Sequence, residues 1–372
     1  MKAGPRLLLV FSRFMSLGEW SRIGMFERET IMYRRLAERG VQVGFITYGG
    51  RGELRFADQL PGISIFPNQF GLSPSRYERF LPFLHAKAFL WADIVKTNQV
   101  SSVHAALPGV GLWNKRLVAR LGYMPSDFAL RQHGPGSAEH LLEDAQERRL
   151  FGKANAIVVT TQAMADDIAQ RLPTRAVDIQ VIPNYVDTEQ FAPRANTTPA
   201  YDVIFIGRLA EQKNISALLE ALSISKAKTL LVGDGPQADR VRLAVSKAHG
   251  LLEWRPSLPN TELPTVLAQA KLFVLPSLWE GHPKTLLEAM SCGLAVLGAD
   301  SPGISSQIEH GRTGWLCAPT PQAMAQAMQH LLAQDDLRAS LGTAARQRIL
   351  GAFALDLVVA HEHALYTRLI KA

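Results

Sequence analysis

Only two cysteines, Cys292 and Cys317, occur in the 372 residues, too few and too far apart for a disulfide framework or a four-ligand zinc site. Both are expected to be small buried apolar residues. No apolar run approaches the roughly 18 residues that a membrane span requires, and the first, Leu7 to Phe11, is strand-sized. Lys2 and Arg6 surround a short apolar core without a small-residue cleavage pattern. That does not read as a signal peptide and makes the cytoplasm the expected compartment. No basic-aromatic nucleic-acid module is present, so nucleic acid is not an expected partner. There is no D-x-D pair of the kind that holds a metal, and Asp166-Asp167 lies within a helical pattern, Ala163 to Leu172.

What remains is ordinary globular composition, 47% apolar and 20% charged with 28 Gly and 21 Pro. The length suggests two domains with a ligand cleft between them. The net charge of +7 is unevenly placed: residues 1–120 hold 17 Lys and Arg against 8 Asp and Glu, and the rest is slightly acidic. A basic first third suits either a solvated surface or contact with anionic lipid at the inner leaflet of the membrane, which would make the protein peripheral there.

Apolar runs alternate with helical periodicity throughout. Leu7 to Phe11, a helix over Met25 to Arg39 ended by Gly40, and Val41 to Thr47 form a βαβ unit. Ile63 to Phe66, Ile94 to Thr97, Phe128 to Gln132, Ile157 to Thr160 and Gln180 to Pro183 are further candidate strands. Periodicity fades from Pro183 to Pro199, then resumes with strands Asp202 to Ile206, Thr229 to Gly233, Leu272 to Pro276 and Ala295 to Gly298. Helices are expected over Pro321 to Ala333, Asp335 to Leu350 and Ala354 to Ile370. The pattern predicts an α/β protein of two doubly wound, mostly parallel Rossmann-like domains, residues 1–185 and 186–352, with a C-terminal helix in 353–372.

In such sheets ligands bind beyond the carboxyl ends of the strands, so the segments after each strand carry the functional reading. Gly207-Arg208 to Lys213-Asn214 places two cations in a loop that opens a helix, where helix N–H groups and the positive dipole end suit a diphosphate; solvated loop charges are the alternative. Gly233-Asp234-Gly235-Pro236 is a glycine turn that would let a nucleotide base or ribose approach the backbone. Neither Gly207 nor Gly233 begins a G-x-G-x-x-G run, which counts against a dinucleotide-binding dehydrogenase. Leu275 to Gly293 runs from a strand end through Gly281 and Pro283 into a helix, with Glu280 before the turn and Glu288 on a largely apolar helix. A carboxylate at Glu288 needs a partner, and ribose hydroxyls are good ones; surface glutamates are the bland reading.

Glu280-Gly281-His282-Pro283-Lys284-Thr285-Leu286-Leu287-Glu288 resembles the glutamate-x7-glutamate motif of retaining glycosyltransferases of family 4. Ile206-Gly207-Arg208 to Lys213, the Val232-Gly233-Asp234-Gly235-Pro236 turn, Ile182-Pro183-Asn184-Tyr185-Val186-Asp187 and Ser301-Pro302-Gly303 to Gly314 are similar to that family in the same order. The resemblance is tightest over 155–320 and extends over essentially the whole chain. It implies a GT-B fold, with nucleotide sugar in the C-terminal domain, acceptor in the N-terminal one, and the final helix, 353–372, crossing back to the N-terminal domain. It also implies that Arg208 and Lys213 hold the donor diphosphate, that Glu288 meets the ribose, and that Glu280 meets the transferred sugar. Gly207, Gly233, Gly235 and the turn and helix start at Gly281, His282, Lys284, Thr285 and Leu286 complete the implied donor site. Pro283 departs from the family pattern, where a second glycine is frequent, and removes one N–H from the turn.

The N-terminal half is similar to a bacterial subgroup acting on cell-surface polysaccharide. Glu19 and Trp20 after the first strand, and Thr97, Asn98 and Gln99 after Ile94 to Val95, are its candidate acceptor residues; turn and cap roles are the alternative. His133 sits roughly where the family places a histidine near the reacting sugar, with a structural histidine as the competing reading. Pro74 to Trp91 interleaves Phe80, Leu81, Phe83, Leu84, Phe89, Leu90 and Trp91 with Arg76, Arg79 and Lys87, reading either as an interfacial surface or as a core-facing helix pair broken at Pro82. The expected activity is metal-independent transfer from a nucleotide diphosphate sugar, a UDP sugar first, to a glycan or lipid-linked acceptor, with no cofactor beyond the substrate. An epimerase or sucrose- or trehalose-type synthase on the same fold, and a non-catalytic nucleotide-sugar-binding subunit, are the alternatives.

Overall fold

The computed structural model describes residues 4–172, 177–195 and 197–371. The chain divides into two compact units, residues 1–183 with 358–372, and residues 184–357.

The first unit is a seven-stranded sheet of β1 (Arg6–Val10), β2 (Gln42–Ile46), β3 (Ile63–Phe66), β4 (Ile94–Thr97), β5 (Arg116–Arg120), β6 (Ala156–Val159) and β7 (Asp178–Val181). Its order is β3-β2-β1-β4-β5-β6-β7, and every pairing is parallel. The central strands are continuous apolar runs because helices cover both faces; Leu7, Leu8, Leu9, Ile94, Val95, Ile157 and Val158 are wholly buried. The second unit is a six-stranded sheet of β8 (Tyr201–Ile206), β9 (Thr229–Val232), β10 (Leu252–Arg255), β11 (Ala270–Leu275), β12 (Ala295–Ala299) and β13 (Trp315–Cys317). Its order is β10-β9-β8-β11-β12-β13, again all parallel.

One sequence expectation changes, and three strands lie outside the pattern. Residues 128–132 are not a strand but part of the helix Pro125–His133. Pro125 at its first position, Asp127 in the first turn, Arg131 and His133 in the last, and Gly134 at φ 87° as its cap outweigh the short apolar run. The strand of that region is β5, whose arginine ends hide its buried middle, Leu117 to Ala119. The edge strands β10 and β13 escape the pattern because an edge is only partly covered and tolerates Glu253, Arg255 and short length.

The last helix, Leu355–Lys371, belongs to the first unit from Val358 onward. There the wholly buried Lys96 of β4 donates to Glu362 Oε1 at 2.8 Å and to the Tyr366 hydroxyl at 2.9 Å. Burial pushes the Glu362 carboxyl up, but the Lys96 ammonium and the Tyr366 hydroxyl together hold it below the usual carboxylate range.

Candidate active site

In the second unit the strand order reverses between β8 and β11, and the loops that follow these two neighbours open at the position where α/β sheets bind ligands. The loop after β8 runs Gly207 to Ala210, then a short 3-10 turn Glu211–Lys213, then Asn214 in the left-handed region at φ 52° ahead of the helix Ile215–Ser225. The loop after β11 runs to Pro283 and enters the helix Lys284–Ser291 without a side-chain cap. Their backbones are stitched together by Leu278 N donating to Gln212 O at 2.8 Å and by Gln212 Nε2 donating to Trp279 O at 2.7 Å.

On this frame the Lys213 ammonium pairs with Glu280 Oε1. Ser277 Oγ, buried, donates to the same oxygen at 2.6 Å, and Gln212 Nε2 reaches Oε2 at 3.5 Å. Glu280 N donates to Pro302 O at 2.8 Å, and Ser301 Oγ donates to Ser277 O at 2.7 Å. Gly303, at φ 82°, lies so close that a Cβ there would fall 2.0 Å from Glu280 O. The carboxylate is therefore fixed from three sides, and its side chain keeps 8% exposure against 15% for Lys213. Arg208, in the same loop as Lys213, is exposed, with no side-chain partner among the described residues.

Beyond the turn, the N–H groups of Lys284, Thr285 and Leu286 precede the first helical bond, Leu287 N to Pro283 O, so the helix presents its positive end at the loop. Leu286 is wholly buried and offers only its backbone, while Lys284 Nζ lies 5.7 Å over the Tyr185 ring. His282 is buried with its ring against Phe353, centroids 5.4 Å apart, and its carbonyl accepts from Asn184 Nδ2 at 2.7 Å. Glu288 is 3% exposed, and its Oε1 accepts from the buried Asn260 Nδ2 at 3.3 Å. Burial and the neighbouring Glu288 push the Cys292 thiol up to about 12, and burial with Asp300 pushes Cys317 up to about 11. Both thiols are thereby kept from thiolate chemistry. Among the described residues no three His, Cys, Asp or Glu side chains converge on a metal position.

The glycines Gly233 and Gly235 also have a packing role. A Cβ on Gly233, at φ 143°, would lie 1.9 Å from Gly207 O, and one on Gly235, at φ 156°, would lie 2.7 Å from Leu209 O. Their missing side chains let the loops after β8 and β9 pack on each other.

The first unit has its own order reversal, between β1 and β4, but most candidate acceptor residues there are engaged by the protein. Trp20 is 2% exposed and stacks on Phe11 at 4.2 Å, so its ring is core rather than acceptor surface. Thr97 is wholly buried and accepts from Arg120 N at 3.0 Å; Gln99 Oε1 accepts from Gly122 N at 3.0 Å. Glu19 pairs with Arg22. Asn98, half-buried, reaches Ser12 Oγ at 3.4 Å and lies at the reversal itself. His133 does not follow a strand; it is the exposed last residue of its helix. Spacing missed Glu53, a buried carboxylate that accepts from Leu17 N at 2.7 Å and Gly18 N at 2.9 Å. It occupies the helix start that an anionic ligand would otherwise favour. Spacing also missed Gln212, Asn260 and Ser277, ordinary polar residues with no motif around them.

Two parallel-sheet Rossmann-like units, the second with a lysine–glutamate pair at its order reversal, define the class of GT-B glycosyltransferases. Residues 186–348 match the family model of glycosyl transferases group 1 and residues 31–190 that of Glycosyltransferase Family 4; the chain belongs to these group 1 and family 4 glycosyltransferases. It is 25% identical to the N-acetyl-alpha-D-glucosaminyl L-malate synthase of Bacillus anthracis over 92% of this chain and 93% of that one. With the alpha-maltose-1-phosphate synthase of Mycolicibacterium smegmatis it shares 28% identity over 56% of this chain, spanning 62% of that protein. Among solved structures, sucrose-phosphate synthase from Thermosynechococcus elongatus matches with a TM-score of 0.82 at 20% identity, covering 99% of each chain. The Anabaena protein HepE, in complex with UDP and glucose, matches with a TM-score of 0.76 at 18% identity, over 97% of this chain and 99% of that one.

Proposed function

We propose that this chain is a retaining, metal-independent hexosyltransferase that moves a sugar from a UDP sugar to a saccharide or lipid-linked glycan in cell-surface polysaccharide synthesis. The observation that carries the reading is the Lys213–Glu280 pair where the strand order of the second unit reverses, with the unpartnered Arg208 in the same loop as Lys213. As the nucleoside diphosphate departs, negative charge grows on its β-phosphate. Arg208, Lys213 and the start of the helix Lys284–Ser291 supply fixed positive charge there, so stabilisation is greatest as the bond breaks. Glu280 faces the transferred sugar, and the acceptor hydroxyl attacks from the side of the leaving phosphate. Glu288, oriented by Asn260, receives the ribose hydroxyls. The solved relative holding UDP and glucose supports uridine as the base. The test is thermal-shift and calorimetric binding of UDP, GDP and ADP, with and without EDTA, to the wild type and Lys213→Ala. A UDP shift that survives EDTA and fades in the variant supports the reading; loss on adding EDTA, or no nucleoside diphosphate binding, refutes it.

A second reading is favoured by the relative named an N-acetyl-alpha-D-glucosaminyl L-malate synthase, which aligns along almost the whole chain: a small soluble acceptor in place of a glycan. Product analysis with hydroxy acids, sugar phosphates and glycan acceptors in parallel separates the two.

A further inference from the structure

The stretch 74–91 is a helix pair with one face in the core, broken at His85 rather than at Pro82, which lies inside the first helix. It folds as two helices, Pro74–Leu84 and Ala86–Trp91, joined at His85. Tyr77, Leu81, Ala88 and Phe89 face the core of the first unit. His85 is buried and hydrogen-bonded to the Tyr77 hydroxyl at 2.7 Å, and Trp113 Nε1 donates to Pro82 O at 3.1 Å. The inner face is thus pinned, and the outer face is fixed with it.

That outer face carries Arg76, Arg79, Phe80, Phe83, Lys87 and Leu90, recurring every three or four residues, all exposed. Phe80 keeps 48%, Phe83 66% and Leu90 54% of its surface in solvent. Between residues 74 and 91 the only carboxylate is Glu78. It is turned inward, paired with Arg13 at 3.0 Å and accepting from the Tyr48 hydroxyl at 2.9 Å. Lys115 adds its ammonium at the edge, donating to Leu90 O at 3.1 Å. The outward face therefore offers positive charge with large apolar side chains set between the cations, and no exposed negative group.

We propose that this face docks on an anionic phospholipid surface, the aromatic and leucine side chains entering the acyl boundary while Arg76, Arg79 and Lys87 meet the headgroup phosphates. Charge complementarity selects this occupant. A second copy of the chain would bring like charges together, and an anionic surface without an apolar layer would leave Phe80, Phe83 and Leu90 in water. The surface lies wholly within the first unit and is independent of the donor-site reading.

The test is co-sedimentation of the full chain with phosphatidylcholine vesicles containing or lacking phosphatidylglycerol, at low and high salt. Wild type is expected to bind the anionic vesicles and to leave them as salt rises. Arg76→Glu with Arg79→Glu, and separately Phe80→Ser with Phe83→Ser, are each expected to weaken binding at least tenfold, while the exposed control Lys247→Glu does not. Unchanged thermal unfolding of each variant confirms folding, and unchanged nucleotide binding separates a failure here from a failure of the donor site. Absence of binding, equal binding to neutral vesicles, insensitivity to either double variant, or a dimer in solution that Phe83→Ser dissolves would overturn the proposal.

Discussion

Glu280 is a charged group with little water around it, and its geometry depends on donors that do no chemistry. Ser277 supplies one of them at 2.6 Å. Ser277→Ala removes that donor while leaving Lys213 in place, so turnover should fall about tenfold, near 1.4 kcal/mol, with UDP affinity almost unchanged; steady-state kinetics beside calorimetry checks the split. Lys213→Ala should instead weaken UDP binding at least about tenfold. His85 sets a pH limit on stability. Burial pushes it down to about 4 from 6.5, so the fold holds it neutral while the unfolded chain takes up a proton as pH falls through 6.5. Its contribution is whole above that pH and is lost progressively toward pH 4. Urea melts should show about 2 kcal/mol of this loss between about pH 7 and about pH 5, absent from His85→Gln once that variant is referenced to itself. At this scale the charged members of the site were legible, because Arg208, Lys213, Glu280 and Glu288 sit in recognisable spacings. Ser277, Gln212 and Asn260 were not, since a serine or an amide has no meaning in sequence until a carboxylate is placed beside it.

The loops after β8, β9, β11 and β12 work as one layer, held by close backbone approaches. Gly303 touches the Glu280 carbonyl, so Gly303→Ala must displace the loop between Pro276 and Pro283 as well as adopt a left-handed conformation. A loss of about 2 kcal/mol in stability and a larger proportional loss of UDP binding are expected, measured by chemical unfolding and calorimetry. Elements buried on both faces were read correctly from composition alone, as at β1, β6 and β8. The helix Pro125–His133 was misread because five residues of apolar character do not distinguish strand from helix, and its caps were the better guide. Trp20 and Thr97 were read as acceptor groups because they follow strand ends. The stacking of Trp20 on Phe11 and the bond from Arg120 N to Thr97 show that a strand end also has backbone and core to satisfy.

Across the molecule, the last helix completes the first unit through an ion pair between residues 266 positions apart. Lys96→Met leaves Glu362 buried without its cation and should cost about 3–5 kcal/mol, whereas Lys96→Met with Glu362→Leu should recover most of it, because neither charge is then stranded; thermal and urea unfolding of the three variants checks this. The sequence by itself determined the two parallel-sheet units, the loops that carry the charges of the proposed donor site, and the family, since each rests on short-range periodicity or on motif spacing along the chain. Only the tertiary structure decided that Lys213 meets Glu280 across 67 residues, that Lys96 is a buried strut, and that Phe80 and Phe83 face outward among cations while Tyr77 and Leu81 face in. Partners that distant are chosen by strand order and packing, whose free energy is shared over many residues and leaves no local mark on any of them.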